Sequence, residues 1–348
     1  MTMPVHGHGN GHGLVLGKFM PAHRGHAHLI RFAAALCERV TVVVDRLAGE
    51  WPPADVRAQA LAADLAGLPV IVRALPAPTP QQPDEHPDFW GFWGDTLVGA
   101  CGGVPDVLVC SMDYGAALAD ALGCALVPLD LGREGVATTA TAIRADPWGR
   151  WDEMLPHSRL PWLARVAIEG PESTGKSTVG RETAAALGLG YAPEWARDYI
   201  AARVRAGHGF AEHDLLAIAR GHVAQERSLE LVASRALIAD TSLLTTLAWG
   251  LHLHGRSDPA IERMFEAEEA RAPRARWFFT PETPWVHDVH RDVAADAASE
   301  AARWRFWDVL VAQAERRGLA YEVLPGGFAE KAGRAAALAR ALAPPGCT

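Results

Sequence analysis

A glycine-rich run in the middle of the chain, Gly170-Pro171-Glu172-Ser173-Thr174-Gly175-Lys176-Ser177-Thr178, follows the apolar stretch Arg165 to Ile168 and leads into a helix-compatible segment reaching Leu187. The pattern G-x-x-x-x-G-K-[ST] between a strand and a helix is a complete phosphate loop. Its backbone amides cradle phosphate, its lysine reaches the β and γ oxygens, and its serine is placed to ligate Mg²⁺. The loop begins only at residue 170 of 348, so a second unit has room ahead of it. Two units of roughly 150 to 180 residues each are the natural division of such a length.

The first half alternates in the same way. Gly13 to Leu16 reads as a short buried strand, His26 to Arg39 has apolar residues at helical spacing, and Val40 to Val44 is a β-branched run. A helix around Pro53 to Leu65 and strands at Pro69 to Val72, Val107 to Val109 and Ala125 to Val127 complete a doubly wound α/β sheet. Pro76 to Pro87 is proline-dense and reads as an exposed connection, a candidate flap. In the second half, Ala236 to Ala239, Trp277 to Phe279 and Tyr321 to Val323 read as strands, with long helices between Asp198 and Ser234. The expected organisation is a polar Gly/His tail over 1–12, a first domain over 13–155, a proline-containing linker over 156–163 and a phosphate-loop domain over 164–348.

Between the first strand and helix lies Gly17-Lys18-Phe19-Met20-Pro21-Ala22-His23-Arg24-Gly25-His26. Lys18, His23 and His26 supply donors for a triphosphate at a helix N-terminus, and Gly17 and Gly25 permit close backbone approach. Adenylyl transfer needs such donors and no protein nucleophile. The same histidines also suit a helix cap or a metal. Thr138-Thr139-Ala140-Thr141-Ala142-Ile143-Arg144 places hydroxyls before a helix and a cation inside it, which serves either a cap or the β and γ phosphates.

In the second half, Asp240 ends an apolar strand where a carboxylate holds metal or orients an attacking hydroxyl, or caps the next helix through Thr241 and Ser242. Glu194, Arg197 and Tyr199 cluster at a helix start, as a binding group or a solvated face. Arg291, and less so Arg303, are candidates for a lid over the γ-phosphate. Trp90, Trp93, Trp148 and Trp151 are candidates for stacking on a cationic ring, or are simple core.

The net charge of −8 argues against broad contact with nucleic acid, whose binding draws on surplus Lys and Arg. With 49% hydrophobic residues the chain has material for buried cores, yet no apolar run spans a bilayer. Five cysteines without paired spacing argue against a disulfide framework and fit a reducing cytoplasm. His6, His8 and His12 read as part of the mobile tail.

Gly17 to His26 resembles the GxFxPxHxGH signature of the nucleotidyltransferase superfamily, and Thr138 to Arg144 resembles its ISTxxR signature, with Thr138 and Thr139 in place of Ile-Ser. The second half resembles the ribosylnicotinamide kinase domain of the bifunctional NadR family. The likeness lies in the phosphate loop, Pro193 to Tyr199, Asp240-Thr241 with Leu244 to Thr246, and Pro284-Trp285-Val286 with Asp288 and Arg291. Ser111-x-x-Tyr114-Gly115 and Ile143-Arg144-x-x-Pro147-x-x-x-Trp151 extend the likeness into the first half, so that it covers about Gly13 to Leu342. Ser242 stands where the family often has a second acid, and Val289 where glycine is common.

The resemblance implies a nucleotidyltransferase domain followed by a P-loop kinase domain. It implies phosphorylation of nicotinamide riboside to nicotinamide mononucleotide, then adenylyl transfer from ATP giving NAD and pyrophosphate. Lys18, His23, His26, Arg144, Lys176, Asp240 and Arg291 are the expected catalytic residues. Gly17, Phe19, Gly25, Thr139, Thr141 and the loop residues Gly170, Glu172, Ser173, Thr174, Gly175, Ser177 and Thr178 are expected around ATP, with Mg²⁺ on Ser177 and Asp240. Trp93, Trp151, Glu194, Arg197, Tyr199, Trp285 and Asp288 are expected at substrate. The expected partners are these small molecules, without nucleic acid or membrane; a homo-oligomer is compatible with the sequence. No helix-turn-helix segment precedes Gly13, so no DNA-binding repressor role is expected. A coenzyme A biosynthesis adenylyltransferase/kinase fusion, or a kinase with a nucleotide-sensing first half, uses the same phosphate donors.

Overall fold

Val42, Val43 and Val44 pack alternately on the two sides of one sheet, Val42 and Val44 into one apolar cluster and Val43 into another. A parallel strand covered on both faces reads as such an unbroken apolar run. The computed structural model describes residues 10–132, 134–285 and 300–346, and the chain divides into two compact units, Met1–Pro161 and Trp162–Thr348.

The first unit runs β1 (Asn10–Gly17), α1 (Arg24–Leu36), β2 (Cys37–Val44), α2 (Ala54–Asp64), β3 (Val70–Ala74), α3 (Phe89–Cys101), β4 (Val107–Cys110), α4 (Gly115–Leu122), β5 (Ala125–Pro128) and α5 (Ala140–Ala145). Its five strands are all parallel, in the order β3-β2-β1-β4-β5. The order reverses between β1 and β4, which leaves a crevice beyond their carboxyl ends.

The second unit runs β6 (Ala164–Glu169), α6 (Lys176–Leu187), β7 (Gly190–Ala192), α7 (Trp195–Arg205), α8 (Asp214–Glu230), β8 (Ala236–Asp240), α9 (Leu243–His254), α10 (Pro259–Arg271), β9 (Ala275–Phe279), α11 (Glu300–Arg316), β10 (Glu322–Leu324) and α12 (Phe328–Arg340). Its sheet is also wholly parallel, in the order β10-β9-β6-β8-β7. Trp277 and Phe279 join the cluster against α6 and α12, while Phe278 joins the opposite one with α9 and α11.

The strand at the first motif begins earlier than its apolar residues indicate. Asn10 to His12 already pair with β2, and His12 is buried, its Nε2 2.9 Å from Thr41 Oγ1. His12 therefore belongs to the sheet and not to a polar tail, because pairing along β2 gives its backbone partners that a tail lacks. Burial, then the neighbouring Arg39, holds its imidazole below the ordinary pKa. His6 and His8 lie outside the described residues. Helix α1 ends at Leu36 and passes straight into β2, three residues before the helical spacing fades. Helix α3, with its run of aromatic residues, shows no clear apolar periodicity in the sequence.

Leu247 is fully buried between α9 and its neighbours. Leu247→Ala is expected to destabilise the second unit by about 2 to 5 kcal/mol, the usual cost of a cavity at a fully packed site. Urea denaturation measures this, and a loss below about 1 kcal/mol contradicts the packing described.

Candidate nucleotide sites

In the first unit the crevice is a cavity of about 620 Å³ whose wall includes Gly17, Lys18, His23, Gly25, His26, Asp45, Gln81, Trp90, Trp93, Ser111, Tyr114, Thr139 and Thr141. Two elements shape it at the helix start. His23 caps α1: its Nδ1 accepts from Gly25 N–H at 3.2 Å, and His26 Nδ1 accepts from His23 N–H at 3.3 Å. A nitrogen that accepts must carry a lone pair, so the proton of each neutral ring sits on Nε2. One ring nitrogen of each histidine thus serves the start of the helix. The two rings lie 3.8 Å apart, and Phe19 meets His26 edge-on at 4.8 Å.

Phe19 itself is buried, with φ at 49°, and is not among the described residues that line the cavity. Its ring supports that of His26. Its ring also explains Gly17, where an added Cβ meets Phe19 at 3.0 Å. Below the motif, buried Arg57 donates to the carbonyls of Lys18, Pro52 (2.9 Å) and Asp45 (3.0 Å), fixing the two adjacent strand ends.

Thr139 caps α5, accepting from Ala142 N–H at 3.1 Å, while both it and Thr141 reach the cavity wall. Arg144 does not line it. Its guanidinium donates to Met20 O at 2.8 Å and Thr141 Oγ1 at 3.2 Å, tying the second signature to the first. Trp93 lines the cavity with its indole N–H on Pro80 O at 3.2 Å. Trp151 does not line it. It is buried under the Arg159 guanidinium, 5.1 Å from the ring, because its short 3-10 turn points it into the interior.

Sequence reasoning missed Asp45. It is buried at the end of β2, faces the cavity, and accepts from Thr79 Oγ1 at 2.5 Å and Gln81 Nε2 at 2.9 Å. A carboxylate just after an apolar strand was the available signal, the same one that singled out Asp240. These bonds also tie the proline-rich connection to the sheet, so Gln81 forms part of the wall. Tyr114 faces the same space, and burial, then Cys110 and Asp45, pushes its hydroxyl up to about 12, so it stays a donor.

In the second unit Gly170 has φ 144°, and an added Cβ meets Phe279 O at 2.5 Å, so only glycine fits where β6 turns. Lys176 Nζ donates to Gly170 O at 2.8 Å and Pro171 O at 2.7 Å. One strand away, Asp240 pairs with Ile168 in the sheet and is buried. The Tyr191 hydroxyl lies 3.2 Å from Ser177 O and 3.3 Å from Asp240 Oδ2. Asp240 Oδ1 has no hydrogen-bond partner among the described residues. Burial, then Glu194, raises the carboxyl above its ordinary pKa, with Lys176 opposing.

Arg197 Nη2 donates to Ser177 Oγ at 3.3 Å and lies 3.6 Å from Glu194, so this pair borders the loop serine. Tyr199 does not join them. It stacks on Trp195 and donates to buried Asp214 at 2.7 Å, tying α7 to α8. Arg303 is no lid: it is buried, and its guanidinium donates to Glu172 O at 3.1 Å and Thr283 O at 2.8 Å. Trp285 ends a described segment, and Asp288 and Arg291 lie outside the described residues.

Lys331, unremarked in the sequence, is fully buried beneath the loop, and burial lowers its pKa from 10.5 to about 8. Between those values the unfolded chain binds the extra proton, so this lysine's contribution to stability rises with pH across that window and its penalty is complete below it. Urea stabilities of wild type minus Lys331→Met, taken from pH 7.5 to about 10, are expected to show that slope. A difference independent of pH contradicts it.

A family model described as an AAA domain matches residues 165–331. The trifunctional NAD biosynthesis/regulator protein NadR of Escherichia coli (strain K12) is 26% identical over 332 residues, covering 89% of this chain and 77% of that protein. Its namesake from Salmonella typhimurium is 25% identical over 309 residues, covering 83% and 73%. Crystal structures of a NadR protein with NR, and with NAD and AMP-PNP, superpose with TM-scores of 0.71 and 0.70 at 19% and 20% identity, each over 96% of both chains. The chain is thus similar to the NadR proteins in sequence along most of its length and in fold along nearly all of it.

Proposed function

We propose that the chain is a bifunctional enzyme of NAD biosynthesis: the second unit phosphorylates nicotinamide riboside, and the first joins the resulting mononucleotide to AMP from ATP. One observation carries the reading: each unit ends a central parallel strand in a cluster of phosphate donors, Lys18, His23 and His26 in one and the Lys176 loop in the other. The NadR relatives' names supply the pyridine chemistry.

In the first unit a phosphate oxygen of nicotinamide mononucleotide attacks the α-phosphorus of ATP, and the bond to the departing pyrophosphate breaks. The nucleophile is already anionic, so no general base is needed. The Nε2–H groups of His23 and His26, with Lys18, meet the negative charge that develops. Trp93 and Trp90 offer apolar faces for the pyridinium ring, and Asp45 offers a carboxylate in the same wall.

In the second unit the riboside 5′-hydroxyl attacks the γ-phosphorus, the bond to the β-phosphate oxygen breaks so that ADP departs, and the hydroxyl proton is released to solvent. Lys176 exchanges its carbonyl partners for β and γ oxygens, and Glu194 and Arg197 are placed for the ribose hydroxyls. The orphaned buried Oδ1 of Asp240 and the nearby Ser177 hydroxyl fit a small oxygen-seeking cation, and these two residues would hold Mg²⁺. Bound there, the ion neutralises charge on the β and γ phosphates.

Purified protein is expected to convert nicotinamide riboside and ATP to NAD. With nicotinamide mononucleotide supplied for the second step, His26→Ala lowers NAD formation by about 10²-fold or more while riboside phosphorylation stays within about threefold, and Lys176→Ala does the reverse. Loss of both activities in either variant, or turnover of dephospho-coenzyme A alone, refutes the assignment. Asp240→Asn is expected to cut kinase kcat by about 10²-fold or more and to leave ATP KM within about threefold; unchanged kcat removes Asp240 from the reaction.

A further inference from the structure

Five successive carbonyls of the phosphate loop receive buried donors from three helices and from the loop after β9. Gly170 O and Pro171 O meet Lys176. Glu172 O accepts from Arg303 Nε at 3.1 Å, and Ser173 O accepts from Thr283 Oγ1 at 2.6 Å and lies 3.4 Å from Arg303 Nη2. Thr174 O is 3.5 Å from Lys331 Nζ, which also donates to Thr280 O at 2.6 Å. Arg303 comes from α11 and Lys331 from α12, and both are buried.

Burying a cation costs several kcal/mol unless it is paired, and among the described residues neither of these two makes an ion pair. Carbonyl oxygens of the loop and its neighbours take the place of carboxylates. An ammonium or guanidinium satisfied in this way keeps its net charge, which favours an anion close by. The geometry adds a second effect. In a trans peptide the C=O of one residue and the N–H of the next point in opposite directions, and none of the cis peptides falls in this loop. With Glu172, Ser173 and Thr174 carbonyls held toward Arg303 and Lys331, the N–H groups of Ser173, Thr174 and Gly175 point away from those cations.

We propose that Arg303 and Lys331 are positioning residues for nucleotide binding in the second unit: they fix three loop carbonyls on one side so that the following amides are set toward the polyphosphate. The proposal rests on the reading of this unit as an ATP-dependent kinase. Neither residue touches the transferred group. Both act through the loop backbone, so their loss weakens nucleotide binding and leaves riboside binding alone.

Steady-state riboside phosphorylation by the full chain, varying ATP and riboside in turn, tests this. Arg303→Lys, which keeps the charge but loses the paired donors, and Lys331→Met are each expected to raise ATP KM by about tenfold or more and riboside KM by less than about twofold. Unchanged ATP KM in both folded variants overturns the proposal, as does a lowered melting temperature with ATP KM unmoved, which marks a packing role only. If Lys331→Met does not fold, Arg303→Lys decides by the same criterion. If wild type phosphorylates no riboside, the substrate reading fails separately. The comparison then passes to calorimetric ADP binding, using the binding that Lys176→Ala removes as the reference. Undiminished affinity in both variants refutes the positioning role there too.

Discussion

Where a buried parallel strand stops, its last peptide groups lose their neighbours, and the helix that follows opens with N–H groups of its own to satisfy. Both candidate sites stand on that junction. After β1 the backbone passes Gly17 and Lys18 into α1, and after β6 it passes Gly170 to Gly175 into α6. Each sheet places a second strand end beside the first, bringing Asp45 next to Lys18 and Asp240 next to the phosphate loop. An anion held at such a place meets helix N-termini and cationic side chains together. The rest of each unit, with its all-parallel sheet covered on both faces, keeps those ends in register.

The two units fix their candidate phosphate donors by different means. In the first, the rings of His23 and His26 are held by the helix they begin, each giving one nitrogen to a backbone amide, with Phe19 beneath. In the second, the charged side chains are held by carbonyl oxygens, Lys176 from within the loop and Arg303 from a helix far along the chain. Both arrangements reduce the motion left to a donor before the ligand arrives, which lowers the cost of binding. The neighbouring carboxylates differ as well. Asp45 has two side-chain donors of its own, whereas Asp240 keeps one buried oxygen without a partner among the described residues.

Much of this was legible in the residues because the features concerned are local. A strand buried on both faces must be apolar throughout, so Val40 to Val44 and Leu237 to Ala239 announced themselves. A phosphate loop needs its glycines and lysine at set spacing, and Gly170 is confirmed by the Phe279 carbonyl that excludes any Cβ. The short strand Gly190–Ala192 and the aromatic helix Phe89–Cys101 escaped notice, the first for its length and the second for lacking clear periodicity. Within the signatures, residue type alone did not separate side chains that line the cavity from those that support its wall. Phe19 belongs to the first signature and Arg144 to the second, yet neither lines the cavity, and Tyr199 is taken up by Asp214.

The sequence by itself determined the two α/β units, the strand-loop-helix junctions and the candidate phosphate donors, since each follows from neighbours a few residues apart. Only the tertiary structure decided which distant groups complete those junctions. Asp45 with Gln81 is separated by 36 positions, Arg303 from Glu172 by 131 and Lys331 from Thr174 by 157. Such pairs leave no periodic trace, because what joins them is the satisfaction of buried polar groups, a condition that exists only once water has been excluded around them.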